Sequence, residues 1–222
     1  MPDRPIDEAR NRLTLGGLQE GADAILFWDS DMRPPSAGLT RLMARDKPVV
    51  SGLSFARVFP HYPISLATFS QEGNWTHYGV DIDDSFEFLS RYARLWPAVN
   101  FGGAMLPEDD QDVLVERAAV GMAFTLIKRE VFEKVLPDWR ETDKKGELPQ
   151  WFKLADGVAG EDGYFCELAK RAGYTVWLDR SVIVGHGYGD AHIGPMDFLT
   201  FIKWARSLPQ EEFERVTKIG MQ

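Results

Sequence analysis

The chain has 222 residues, enough for one domain with a substantial core or at most two small ones. Hydrophobic and charged fractions of 44% and 27% are those of an ordinary globular protein. A formal net charge of −9 argues against a nucleic-acid coat or a binder of anionic membranes.

Taken in chain order, Met1-Pro2-Asp3-Arg4-Pro5 lacks the apolar core of a signal peptide, and no apolar run reaches a membrane-spanning length. With one cysteine, Cys166, no intrachain disulfide and no cysteine-based zinc site can form. The expectation is a soluble, cytoplasmic protein without a transmembrane segment. Residues 6–20 predict a helix with Ile6, Ala9, Leu13 and Leu18 near one face, Pro5 at its first turn and Gly21 at its end. The apolar run 24–28 predicts a central strand of a parallel sheet, covered on both faces. It stops at Asp29-Ser30-Asp31, and Pro34-Pro35 prevent anything regular from continuing.

A helix over 36–45 and a strand over 48–53 continue the alternation of an α/β fold with a mostly parallel sheet and helices on both faces. From 54 to 116 the period weakens, with short strands expected at 64–69 and 75–80. Residues 118–127 read as an apolar strand with Gly121 inside it, followed by a helix over 129–135 and a loop over 139–159. A helix over 161–172 ends at Gly173, and strands at 175–178 and 182–184 lead to Gly185-His186-Gly187. An amphipathic helix over 196–207 closes the chain, with a further one after Pro209. No repeat or linker divides it, so a single domain over 1–222 is expected, with a variable region at about 54–116.

Four stretches carry residues suited to chemistry. Asp29 and Asp31, two apart after a strand, would point to one side and make a hard-oxygen site for Mg²⁺ or Mn²⁺, ions that also hold phosphates. Acidic side chains that merely cap a turn are the other reading. Glu161 and Asp162 open a helix, where the dipole alone would favour acids. The functional reading makes Asp162 a general base kept ionised by that helix terminus. His186, between two glycines after a strand, is either a loop histidine or a third metal ligand beside carboxylates. Gly121 in the stretch Val120-Gly121-Met122-Ala123-Phe124 marks a close backbone approach, to a ligand or to a packed neighbour. Trp75, Tyr78, Trp151 and Phe152 would offer stacking surface for a sugar, although most aromatics are core.

Read in register, Ala9-Arg10-Asn11, residues 25–31 with their Asp-Ser-Asp, residues 120–124, Trp151-Phe152, Gly160-Glu161-Asp162 and Gly185-His186 resemble the glycosyltransferase family 2 group and its GT-A relatives. The stretch from Glu161 through Ala172-Gly173-Tyr174 to His186 is especially similar to that group. The resemblance implies a metal-dependent transferase that moves a sugar from a nucleotide diphosphate-sugar donor to an acceptor hydroxyl with inversion. It places Asp29, Asp31 and His186 on the metal, with Mn²⁺ or Mg²⁺ as the cofactor. It makes Asp162 the base with Glu161 its neighbour, and Gly121 and Met122 the border of the donor sugar. Arg10 and Asn11 would lie near the nucleotide, and for Arg10 a solvated helix charge is an equal alternative. Relatives begin with a strand, helix and second strand that this sequence lacks before its first helix. An N-terminally shortened GT-A-like domain is therefore expected, with self-association or a partner chain at the sheet edge so exposed. A non-catalytic nucleotide-sugar or glycan-binding remnant of the fold is the rival expectation. An aspartyl-phosphate phosphohydrolase fits less well, because Arg33 stands where Thr or Val would follow the second Asp.

Overall fold

The computed structural model describes residues 5–57, 61–72, 75–95, 103–110, 112–154, 160–188 and 191–218. The chain opens with α1 (Ile6–Gln19), β1 (Ala24–Trp28), β2 (Met32–Arg33), α2 (Gly38–Ala44) and β3 (Val49–Leu53). The irregular middle holds β4 (Ser65–Glu72), β5 (Trp75–Val80), α3 (Ile82–Arg91), β6 (Ala104–Met105) and β7 (Leu114–Arg117). Then follow β8 (Ala119–Val120), β9 (Phe124–Lys128), α4 (Arg129–Val135), α5 (Trp139–Lys144) and α6 (Gly160–Arg171). The chain ends with β10 (Val176–Ile183), β11 (Gly185–Tyr188), β12 (Ala191–Ile193), α7 (Pro195–Ala205) and α8 (Gln210–Lys218). No helix among the described residues is long and apolar enough to cross a membrane.

The fold is α/β, but its main sheet is mixed rather than mostly parallel. Strand order is β1-β9-β3-β10-β6, with β7 also pairing β10. Among the described residues of this sheet only β3 and β10 run parallel; β1–β9, β3–β9, β10–β6 and β10–β7 are antiparallel. The cause lies in the apolar stretch 118–127, which is not one strand. The chain turns at Gly121, whose carbonyl accepts hydrogen bonds from the Thr125 hydroxyl at 2.7 Å and the Ser51 hydroxyl at 3.2 Å. Satisfied by side chains, that carbonyl leaves the ladder. As a result β8 joins β4 in a small sheet, while β9 enters the main sheet between β1 and β3.

A second correction concerns β1. It is an edge strand among the described residues, and Trp28 is 57% exposed, so the apolar run does not mark a central position. Strands β3 and β10, by contrast, are buried almost throughout, as expected for strands covered on both faces. Alternate residues serve two apolar clusters. Val49, Ile127 and Ile183 face α1, α4 and α6, whereas Val50, Phe124, Val182 and Val184 face α2 through Leu42.

Helix α1 is rotated away from the predicted apolar face. Leu13 is 64% exposed, and the buried positions are Arg10, Asn11, Thr14 and Leu18. Burying three polar residues on one helix face is costly unless each finds partners, and those partners define the site.

Candidate functional site

Asn11 is fully buried and its amide makes three bonds. Its oxygen accepts the backbone N–H groups of Trp151 and Phe152, both at 2.9 Å, and its nitrogen donates to the Phe152 carbonyl at 2.8 Å. It is thus a clamp on residues 151–152 and not a nucleotide contact. Trp151 and Phe152 are themselves fully buried, with Phe152 stacked on Phe165 at 4.8 Å, so neither offers a surface to a sugar. Trp75 and Tyr78 fall on β5, and their side chains lie outside the described residues. Replacing Asn11 by Ala would leave two buried N–H groups and a carbonyl without their partner. Asn11→Ala is expected to cost about 2–3 kcal/mol of stability, read as an earlier urea midpoint with unchanged slope.

One residue earlier in α1, Arg10 is the hub of the site. Its Nη1 pairs with Glu161 and with Asp162, and its Nη2 lies 3.4 Å from both carboxylate oxygens of Asp29. Arg10 is only 4% exposed, which rules out a solvated helix charge. The Nε atom has no hydrogen-bond partner among the described residues, so the fork is committed to its terminal nitrogens. Here the end of β1, the first turn of α6 and the middle of α1 meet.

Asp162 is held from a second side. Its Oδ2 accepts the Met122 N–H at 3.1 Å, and a Cβ built on Gly121 would lie 3.7 Å from the same oxygen and 2.9 Å from Ile64. Glycine is needed there because Ile64 closes in on the turn. Met122 therefore meets the site through its backbone, while its side chain is in the core. The Asp162 carboxyl is pushed up to about 7, first by burial and then by the neighbouring Glu161 and Asp29 charges, against the lowering by Arg10 and the Met122 N–H. The expected ionisation by the first turn of α6 is thus not what dominates here: burial raises the carboxyl despite Arg10. Asp29 is raised as well, by burial foremost and against the pull of Arg10.

Asp31 takes different partners from Asp29, though its charge still acts on that carboxyl. The Met32 N–H bonds back to the Asp29 carbonyl at 3.0 Å, so residues 29–32 form a turn and the alternate-residue rule for strands no longer applies. Asp31 is instead placed by β11, which pairs with β2 so that His186 stands opposite Met32. The Gly187 N–H donates to the Asp31 carbonyl at 2.7 Å, and a Cβ at Gly187 would come within 3.1 Å of that carbonyl oxygen. The His186 ring then reaches Asp31 Oδ2, with Nε2 at 3.2 Å. Arg57, half-exposed, pairs with the same oxygen. The sequence carried no signal for Arg57, which comes from the stretch without a clear period.

The expected metal trio is therefore separated. Asp29 turns to Arg10, and Asp31 and His186 form a pair. Among the described residues no group of three or more His, Cys, Asp and Glu side chains is arranged to hold an ion. The pair supplies a carboxylate and an imidazole, two of the donors that a hard divalent cation would need. His186 Nδ1 lies 2.6 Å from the Phe55 carbonyl, which can only accept, so the ring proton is on Nδ1. The Nε2 lone pair then faces a carboxylate oxygen, a contact that is favourable only with a cation between them, a proton or a metal ion. A ring nitrogen tied to a backbone carbonyl is also how metal-binding histidines are oriented. Mg²⁺ and ions like it are commonly bound by one or two carboxylates, with waters and substrate phosphates completing the shell.

No protein-family model matches this sequence, and no curated protein matches it. Twenty-five chains of solved structures do resemble it. One of them, the crystal structure of A197 from STIV, aligns at a TM-score of 0.48 and 15% identity, over 88% of this chain and 74% of that one.

Proposed function

We propose that the chain is a metal-dependent, inverting glycosyltransferase, a GT-A-related variant that moves a sugar from a nucleotide diphosphate donor to an acceptor hydroxyl. The observation that carries the reading is that the turn after β1 sends Asp29 to the Arg10–Asp162 cluster and Asp31, two residues on, to His186. On one side Asp162 is a fixed carboxyl whose proton affinity lies near neutrality. On the other, the Asp31 carboxylate and His186 Nε2 stand 3.2 Å apart, two donors that would hold a cation together. A general base poised near the working pH and an adjacent seat for diphosphate charge are the two requirements of this transfer.

Asp162 takes the proton of the acceptor hydroxyl as its oxygen bonds to the anomeric carbon. The bond from that carbon to the phosphate oxygen breaks, and its electron pair leaves with the diphosphate. Both Asp162 oxygens already accept one bond, from Arg10 and from Met122, and each retains a further lone pair for the proton. Arg10 holds the carboxylate in place and Glu161 shares that fork. When bound, Mn²⁺ or Mg²⁺ supplies positive charge against the departing diphosphate.

Calorimetry with UDP and with GDP, each with and without Mn²⁺, tests the cation side. Mn²⁺ is expected to bind weakly alone and to tighten nucleotide binding. Asp31→Ala is expected to remove that gain, a loss on the order of 10–100-fold. Equal metal-dependent binding by Asp31→Ala would take this carboxylate out of the site. Binding of nucleotide sugars without turnover would favour a remnant that kept the fold and lost the chemistry.

A further inference from the structure

We propose that Arg57 is a diphosphate-binding residue held in reserve by Asp31, released to the ligand when a divalent cation takes its place on that carboxylate. The inference rests on the cation and diphosphate site proposed above, not on the transfer step.

The geometry gives one oxygen two claimants. Asp31 Oδ2 is paired with the Arg57 guanidinium and also stands 3.2 Å from His186 Nε2. Asp31 and His186 would hold a divalent cation on the side where this oxygen faces the ring, and its double charge would oppose a guanidinium bonded to the same atom. Arg57 has five donors and no acceptor capacity, so on losing Asp31 its half-exposed guanidinium would turn to water or to an anion, and a diphosphate held at Asp31 and His186 would offer one. The planar fork of arginine is well matched to phosphate oxygens.

The backbone leading to Arg57 is anchored, and its half-exposed side chain is bonded to Asp31. The Ala56 N–H donates to the Tyr62 carbonyl at 2.8 Å, the Ile64 N–H to the Ser54 carbonyl at 2.8 Å, and Phe55 bridges to Pro63. The Phe55 carbonyl, two residues before Arg57, holds the His186 ring. One short segment thus orients the imidazole and carries the guanidinium. The Arg57 side chain is 51% exposed, which leaves it free to swing without disturbing packing.

The exchange makes two opposite predictions for one variant. Arg57→Gln removes the competing cation, so Mn²⁺ alone should bind about two- to five-fold more tightly, the scale of an exposed ion pair. The same variant loses a charge-assisted contact, so inorganic pyrophosphate with Mn²⁺ should bind on the order of tenfold more weakly. Arg57→Lys should return Mn²⁺ affinity towards that of the unaltered protein and recover only part of the pyrophosphate binding. Calorimetry on the full chain reads both arms, with circular dichroism to confirm equal folding. A merely structural arginine would weaken both arms or neither, and either result overturns the inference. Failure of every variant to bind Mn²⁺ overturns it as well. If both arms behave as expected but no UDP- or GDP-sugar is turned over, the transferase reading falls and the role of Arg57 stands.

Discussion

Arg10→Met is expected to destabilise the protein by about 3–5 kcal/mol at pH 8, the scale of breaking a buried ion pair by removing one partner. Methionine keeps most of the volume of the arginine stem, so the loss is electrostatic rather than a cavity. Without the guanidinium, Asp29, Glu161 and Asp162 face one another across a site with no cation from the chain among the contacts that now hold them. Burial already raises Asp29 and Asp162, and Arg10 is the largest influence opposing it in both. Removing it raises both further.

The sign of the pH dependence follows. A carboxyl whose folded-state pKa lies above its unfolded value binds more protons folded than unfolded between those two values. Stability therefore falls as pH rises through that window. For Asp162 the window already runs from the model-peptide value of 3.8 to about 7. The deficit of Arg10→Met should accordingly be largest above pH 7 and shrink towards pH 5, where protons replace the missing cation. Urea unfolding at pH 5 and pH 8 measures this. A deficit equal at both values would mean that Arg10 stabilises through packing, and that the three carboxylates are not coupled through it.

How far the site was legible depended on whether each feature is local. Helices α2, α4, α6 and α7 follow from period and capping signals, and strand β3 from a continuous apolar run. Helix α3 had a local signal that the surrounding aromatics obscured: Asp81 caps it by accepting the Asp84 N–H at 3.2 Å, with Asp83 and Asp84 in its first turn. Strand direction is not local. The run 24–28 looks the same at a sheet edge as in its centre, and the split of 118–127 depends on Thr125 and Ser51 meeting at Gly121. Among the site residues, the resemblance set Asp29, Asp31 and His186 together as one trio and Asp162 apart as a base, whereas Asp31 meets His186 and Asp29 joins Asp162 on Arg10. That Arg10 would gather three carboxylates, that Asn11 would turn to residues 151–152, and that Arg57 would reach Asp31 depend on contacts between distant stretches. The charge of an isolated arginine in the sequence says nothing of which acid it meets.

Asp162→Asn tests the chemistry most directly, because it preserves shape and most contacts while removing the proton acceptor. The amide oxygen can still accept the Met122 N–H, so the turn at Gly121 should hold. Its NH₂ group, however, faces the Arg10 donors if the oxygen keeps that bond, which makes the contact with Arg10 less favourable. Nucleotide binding with Mn²⁺ is expected to change little, since Asp31 and His186 are untouched. Transfer should fall by roughly the 10²–10⁴-fold typical of losing a general base. The pH profile distinguishes this from structural damage. In the unaltered protein transfer should rise through about pH 7 as Asp162 loses its proton, and in Asp162→Asn the residual rate should no longer follow that rise. Stability moves the other way: without a carboxyl that must ionise in a buried place, the variant should lose less stability between pH 5 and pH 8 than the unaltered protein. Near-normal transfer with an unchanged pH profile would place the base elsewhere, and Glu161, which shares the Arg10 fork, would be the next carboxylate to replace.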